Sequence, residues 1–425
     1  MKFDISEAFA KELDSLDNLN FADRFYKAND VIYMDGNSLG LMPKAGEAAL
    51  LSAVEDYKNL GIDGWTEARQ PWFYVAEKLG ARMAKIVGAL EGEVVVTGST
   101  TVNIHNLLAT FYKPSSKRTK LLMDELNFPS DIYAAQGHLR LLGRPADDLV
   151  LLKSQDGVTL DEDDIIAAFN DDVALVLLPS VLYRSGQLLD IERLTAKAHE
   201  KGIIIGFDCC HSAGSIPHKF HEWDVDFAVW CCYKYLNGGP GSSAAMFINR
   251  RHHGTQPGLP GWFGSDKSRQ FDMALEFEPA GSAGAWQTGT PHIFSMAPIG
   301  GSLDVFEEFG MGNVREKSLK MTSYLMFLID SLLVEQHGFS IATPRELQRR
   351  GGHVALAHGT DAIRINACLK AHSVIPDFRF PNIIRLAPIA LYNTYHEVWR
   401  VVDIIREIMV SKKYLSMDEK RGPVA

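Results

Sequence analysis

Asp208 and Lys234 stand 26 residues apart, each just past an apolar run. Asp208 closes the run IIIGF and is followed by His211. A carboxylate at the end of a buried strand is costly unless it is paired. It is either a helix cap or ion-pair partner, or the counter-charge of a cationic ring nitrogen. Lys234 follows the run FAVWCC, next to Tyr233 and just ahead of the glycine-rich stretch GGPGSSAA. An amine held there can condense with an aldehyde, and pyridoxal phosphate enzymes join such a lysine to an aspartate at the pyridinium nitrogen. Alone, Lys234 reads as a solvated surface lysine; the joint pattern D-x-x-H, spacer, Y-K, G-x-G is far more specific. After EVVVT, Gly98-Ser99-Thr100-Thr101 opens a helix. Its free amides and hydroxyls make a phosphate cradle, or simply a cap. After LLMD comes Asn127-Phe128-Pro129-Ser130-Asp131, where Phe128 can stack on a flat ring. No metal is expected. His211, His218 and His221 lack cysteine or carboxylate ligands at zinc spacing. The pairs Cys209/Cys210 and Cys231/Cys232 point to opposite faces of strands.

These residues need a scaffold that brings strand ends together. Ligands of open α/β sheets bind at the carboxyl ends of the strands. Glu93–Thr97, Leu121–Asp124, Val173–Leu178, Ile203–Asp208 and Phe227–Cys232 read as buried strands. Helices are expected from about Val102 to Phe111 and over Asp190–Lys201, with Asp190 as N-cap. This alternation predicts a doubly wound, mainly parallel sheet. Lys317–Gln336 and Tyr395–Met409 read as helices. His353–Ala357, Ile363–Cys368 and Ile383–Leu386 read as strands. The division expected is an N-terminal segment (1–60) packing with the small domain, a large α/β domain (61–310) and a small α+β domain (311–425). The charged tail from Ser411 is expected to fray.

Composition narrows the function. The chain has 425 residues, 43 Lys+Arg against 53 Asp+Glu, and 46% hydrophobic residues. This is a globular balance. The net charge of −10 argues against nucleic acid or an anionic membrane as the main partner. No apolar run has the length of a membrane span, and the N-terminus has no apolar signal region. The 5 cysteines are odd in number and largely adjacent, a poor disulfide framework. The expected location is the cytoplasm.

At this point the chain resembles the kynureninase family, fold-type-I pyridoxal phosphate enzymes related to the class-V aminotransferases. The resemblance rests on Tyr33–Pro43 (YMDGNSLGLMP), Thr100–Asn103 (TTVN), Phe128–Asp131 (FPSD), Phe207–His211 (FDCCH), Trp223–Asn237 (WDVDFAVWCCYKYLN), Gly261–Gly264 (GWFG) and Ile384–Tyr392 (IRLAPIALY). It implies a large doubly wound domain with a smaller C-terminal α+β domain, and hydrolysis of L-kynurenine to anthranilate and L-alanine within tryptophan catabolism or NAD biosynthesis. It implies that Lys234 carries the cofactor and shuttles protons at Cα, while Asp208 pairs with the ring nitrogen. Phe128 would stack on the ring. Thr100, Thr101 and Tyr233 would bind the phosphate, with Pro129, Ser130, Asp131 and His211 also contacting the cofactor. Tyr233 is in addition a candidate proton donor. Trp262 and Thr290 would reach in from the partner subunit of a homodimer with shared active sites. Arg385 would clamp the substrate carboxylate, and Trp65, Asn37 and Ser38 would also meet the substrate. Animal members that favour the 3-hydroxylated substrate carry His and Asn where this chain has Trp65 and Thr290. The expected preference is therefore for L-kynurenine over 3-hydroxykynurenine. One departure is Pro179, where the family usually has Ser or Thr; any hydroxyl there must come from Ser180.

Three other readings compete. One is another fold-type-I enzyme, such as a cysteine desulfurase or an aminotransferase. A desulfurase needs a loop cysteine, and the cysteine outside the paired positions, Cys368, falls in an expected strand. The second is a non-catalytic scaffold on the same fold, which the presence of Lys234 and Arg385 disfavours. The third, a cofactor-free binding protein, leaves Asp208, Lys234 and the glycines unexplained together.

Overall fold

The computed structural model describes residues 2–28 and 30–419. In chain order its strands are β1 (Ile32–Tyr33), β2 (Val94–Val96), β3 (Lys120–Asp124), β4 (Leu149–Leu152), β5 (Val173–Pro179), β6 (Ile204–Asp208), β7 (Phe227–Trp230), β8 (Ala245–Ile248), β9 (Phe339–Ile341), β10 (Val354–His358), β11 (Val374–Ile375), β12 (Asp377–Arg379) and β13 (Ile383–Leu386). Seven of them form one sheet in the order β2-β8-β7-β6-β5-β3-β4. Only β8 runs against its neighbours. The central strands β5, β6, β7 and β8 are buried almost throughout, as expected when helices cover both faces.

The five strands anticipated in this region are present within one or two residues. β4 and β8 were not anticipated. β4 is a half-buried edge strand of four residues, and β8 follows a glycine-rich loop whose composition reads as irregular. Asp190 caps the helix Ile191–Glu200 by accepting from the Arg193 amide. The parallel arrangement is what matters for function. It collects the ends of β2, β3, β5, β6 and β7 along one edge.

A second, antiparallel sheet has the order β12-β13-β10-β9. The helices Met311–Ile329, Ala362–Ala371 and Tyr395–Ser411 pack with it into a separate apolar core. Here the expectation of a strand at Ile363–Cys368 is corrected: the segment is helical. Ile363 and Ile365 alternate like a strand, but Ala362, Ile365, Asn366, Cys368 and Leu369 are the buried set, a helical spacing. Cys368 therefore sits in a helix. The expectation of a frayed tail is also corrected in part. Lys413–Ser416 form a 3₁₀ turn, Tyr414 and Met417 pack on the small core, and Arg364 holds Glu419 at 2.9 Å. The rest of the tail, residues 420–425, lies outside the described residues.

The N-terminal segment divides between the two bodies. The carboxylate of Asp14 accepts from the amides of Tyr395 (2.6 Å) and His396 (3.0 Å). Lys317 pairs with Asp17 at 2.6 Å, and β1 pairs with β11. The helix Lys44–Leu60 instead lies along the helix Ile293–Phe309, on the large-sheet side.

Candidate active site

The carboxyl edge of the large sheet opens into a cavity. Thr100, Thr101, Phe128, Ser130, Asp131, Asp208, His211, Tyr233 and Lys234 line it together. Each arrives there for a local reason. Thr100 and Thr101 begin a helix whose N-cap, Ser99, makes no capping bond with its side chain. The first amides are thus left for an anion. The Thr101 hydroxyl lies 2.6 Å from that of Ser130. Pro129 takes the first position of the helix Pro129–Leu141, where its missing N–H costs nothing. It does not itself line the cavity. It turns Phe128 outward, and the ring stands 42% exposed with its edge on Tyr183 at 5.3 Å.

Lys234 Nζ is 3.0 Å from His211 Nε2 and 5.9 Å from the centre of the Phe128 ring. Burial weakens its hold on a proton, but Cys231, Cys210 and Asp208 outweigh burial and raise its pKa above the ordinary lysine value. The ammonium therefore donates. Burial first, and then Lys234 and Arg385, push His211 well below the ordinary histidine range. A neutral imidazole that accepts at Nε2 carries its proton on Nδ1. That buried Nδ1 has no hydrogen-bond partner among the described residues.

Asp208 is fixed by the Cys210 amide, which donates to Oδ1 at 2.6 Å. Asp131 beside it is pushed well above the carboxylate range by burial and then by Asp208. Two adjacent carboxyls cannot both ionise cheaply, so Asp131 keeps the proton. Burial also raises the phenol of Tyr233 above its ordinary value. Sequence reasoning missed Asn127, Val181, Tyr183 and Cys210 in the lining. Tyr183 could have been found, since it stands four residues past the end of β5. Pro179 forms part of the wall. Ser180 does not replace its missing hydroxyl toward the cavity. Its Oγ donates to the Asp208 carbonyl at 3.0 Å and meets Ser212 Oγ at 2.7 Å.

Arg385 is fully buried. It is joined to the cavity through Tyr183, whose carbonyl accepts from Nη1 at 2.6 Å. Nη2 donates to Ser38 Oγ at 2.9 Å, and Asp377 takes both Nε and Nη2. Asn37 next to Ser38 is completely buried, with neither side-chain atom partnered. The structure does not bring Trp65, Trp262 or Thr290 into this cavity. Trp65 packs on Trp72 at 5.7 Å and Phe263 at 5.8 Å. Trp262 is 44% exposed beside Phe271, and Thr290 is exposed.

The residues fit pyridoxal phosphate. A ring face, a lysine amine, a carboxylate, free helix amides and unpartnered buried donors meet in one cavity. Among the described residues no group of three or more His, Cys, Asp or Glu side chains is placed to hold a metal ion.

Comparison with known proteins follows the same line. Residues 314–405 match the family model described as the kynureninase C-terminal domain. A kynureninase from Geobacillus thermodenitrificans is 56% identical over 419 residues, covering 98% of this chain and 97% of that one. The kynureninase of Bacillus anthracis gives the same identity and coverage. That of Shouchella clausii is 52% identical over 422 residues, 99% and 98% of the two chains. Among solved structures, a cysteine desulfurase from Thermococcus onnurineus superposes with a TM-score of 0.78 at 20% identity, covering 92% of this chain and 98% of that one. C-DES, with glycine covalently linked to its PLP cofactor, superposes with 0.77 at 15% identity, covering 90% and 98%.

Proposed function

The chain belongs to the kynureninase family, and from that premise we propose how its own residues carry out the reaction. It is an enzyme that hydrolyses the Cβ–Cγ bond of L-kynurenine to anthranilate and L-alanine, with pyridoxal phosphate as cofactor. When bound, the cofactor supplies an aldehyde for the substrate amine and a ring that accepts electrons.

In our reading, the amides and hydroxyls at Thr100 and Thr101, with Tyr233, hold the phosphate. Pro129 and Ser130 shape that wall. Phe128 covers one ring face. Asp208 holds the proton of the ring nitrogen, and the protonated Asp131 beside it keeps the local charge from doubling. His211 orients Lys234 by accepting from Nζ. Lys234, once free, removes the proton at the substrate Cα and returns protons to the carbon skeleton. Water adds to the aryl ketone, and the Tyr233 hydroxyl donates to the oxygen where charge develops. Arg385, with Asn37 and Ser38, receives the α-carboxylate.

We further propose a cytoplasmic homodimer with shared active sites. The exposed Trp262 and Thr290 lie outside their own cavity, in a region where Phe271 (73%), Met273 (65%) and Leu275 (104%) are also exposed. Such a patch suits a second copy. Trp262 and Thr290 then serve the opposite cavity. Trp65, also outside its own cavity, would act at the opposite one, where an indole with a single donor favours L-kynurenine over its 3-hydroxy analogue. Five buried free cysteines suit a reducing compartment, and no helix among the described residues is long and apolar enough to cross a membrane. The division into an N-terminal segment, a large cofactor domain and a small C-terminal domain is part of the same proposal.

The observation that carries the reading is the Lys234–His211 contact set between Phe128 and Asp208. The test is an assay on the holoenzyme with each substrate. Anthranilate should appear from L-kynurenine with a higher kcat/KM than 3-hydroxyanthranilate from 3-hydroxykynurenine. Silence with both, in a protein that absorbs above 400 nm, would redirect the search to other amino acids. Mixing Lys234→Ala and Trp262→Ala subunits should restore part of the activity if the sites are shared.

A further inference from the structure

Arg385 is engaged on all three of its nitrogens: Nε donates to Asp377, Nη2 to Ser38 and Nη1 to the Tyr183 carbonyl, and Nη2 is also in ion-pair contact with Asp377. Of the five N–H groups of a guanidinium, two remain, one on Nη1 and one on Nη2, the number a bidentate grip on a carboxylate requires. Charge is what falls short. Asp377 is completely buried against Arg385, and it cancels the charge an anionic substrate would seek.

Arg379 supplies the missing charge. It lies two residues from Asp377 on β12, which places both side chains on one face. Asp377 is directly across from Arg385 on β13. Arg379 Nε donates to the same Asp377 Oδ2 at 3.1 Å, and Nη2 lies 3.5 Å from the same Ser38 Oγ. Its Nη1 has no hydrogen-bond partner among the described residues, and the side chain is 30% exposed, unlike Arg385. Its charge reaches the cofactor edge: Arg379 and Arg385 both depress His211, after the larger effects of burial and Lys234. With Arg379 included, Arg379, Arg385 and Asp377 together carry one net positive charge.

We propose that Arg379 is a second carboxylate-binding residue for the substrate, and that Asp377 is the positioning residue that holds both guanidiniums toward Ser38. This rests on the reading of Arg385 as the carboxylate site. Asp377 tethers rather than competes: its Oδ1 is buried without a partner, and Oδ2 carries both arginines.

The test uses the holoenzyme with L-kynurenine and its α-carboxamide, which lacks the anion. Arg379→Ala should raise KM for L-kynurenine roughly tenfold to hundredfold, the worth of a charge-assisted hydrogen bond, with a smaller fall in kcat. The ratio of kcat/KM for acid over amide should collapse, and the dissociation constant of L-alanine, read from the cofactor spectrum, should rise. Arg379→Lys, which keeps the charge and the fold, should recover part of that ratio. A merely structural Arg379 would depress acid and amide equally, and that result overturns the proposal. An unchanged acid-to-amide ratio in Arg379→Ala, with the ratio lost in Arg385→Ala, overturns it too and leaves Arg385 as sole clamp. An unchanged ratio in Arg385→Ala would instead sink the underlying carboxylate assignment.

Discussion

The two edges of the large sheet handle buried charge in opposite ways. At the amino edge, Asp226 precedes β7 and is almost fully buried. His252 and Arg251 bond one oxygen at 2.7 and 2.6 Å. His199 and the Ile205 amide bond the other, both at 2.9 Å. At the carboxyl edge, Asp131 Oδ2, His211 Nδ1 and Asn127 Nδ2 are buried with no partner. Native structures satisfy nearly all their buried polar groups. A saturated cluster therefore belongs to the fold, and a cluster with open valences marks where a ligand completes it.

The sharpest way to break this comparison is to remove one group from each edge. Lys234→Ala should lower kcat by roughly 10³-fold or more and abolish absorbance above 400 nm, while the melting temperature of the apoenzyme barely moves. Arg385→Lys comes next. Losing the planar fork should raise KM roughly tenfold or more, read from steady-state kinetics. Asp226→Asn should act the other way, costing about 3 kcal/mol of stability by urea denaturation with kcat per folded molecule retained.

Asp226 also predicts a pH dependence. Burial alone would raise its pKa, but His199, His252 and Arg251 together hold it far below the carboxylate range. A carboxyl depressed on folding stabilises the protein above its unfolded value of about 4. That contribution is lost as pH falls below about 4. Wild type should therefore lose stability on acidification more steeply than Asp226→Asn. The smallest effect is expected at Ser180→Ala. Removing a buried hydroxyl that bonds the Asp208 carbonyl costs about 1 kcal/mol, visible as a small shift in melting temperature.

The edge that carries chemistry was the more legible in the sequence. Asp208, Lys234, Thr100 and Phe128 stand within one to four residues after apolar runs, so parallel pairing places them together by topology alone. What the sequence did not reveal depends on contacts far apart along the chain. The Tyr183 carbonyl accepts from Arg385, and a backbone contact of this kind carries no sequence signal, although the place of Tyr183 just past β5 does. Asp377 and Arg379 become meaningful only once β12 lies beside β13. Trp65, Trp262 and Thr290 stand outside their own cavity, so strand topology within one chain does not link them to Lys234. Ile363–Cys368 misled because two isoleucines at spacing two fit either a strand or one side of a short helix.

The most direct test of the account locates the cofactor. The holoenzyme is reduced with borohydride, digested, and mapped by mass spectrometry for the pyridoxyl-bearing peptide. The account predicts the group on Lys234, in the peptide spanning Cys231–Asn237. A pyridoxyl group on any other lysine, or none in a protein that turns over L-kynurenine, would contradict the site built from Asp208, His211 and Lys234.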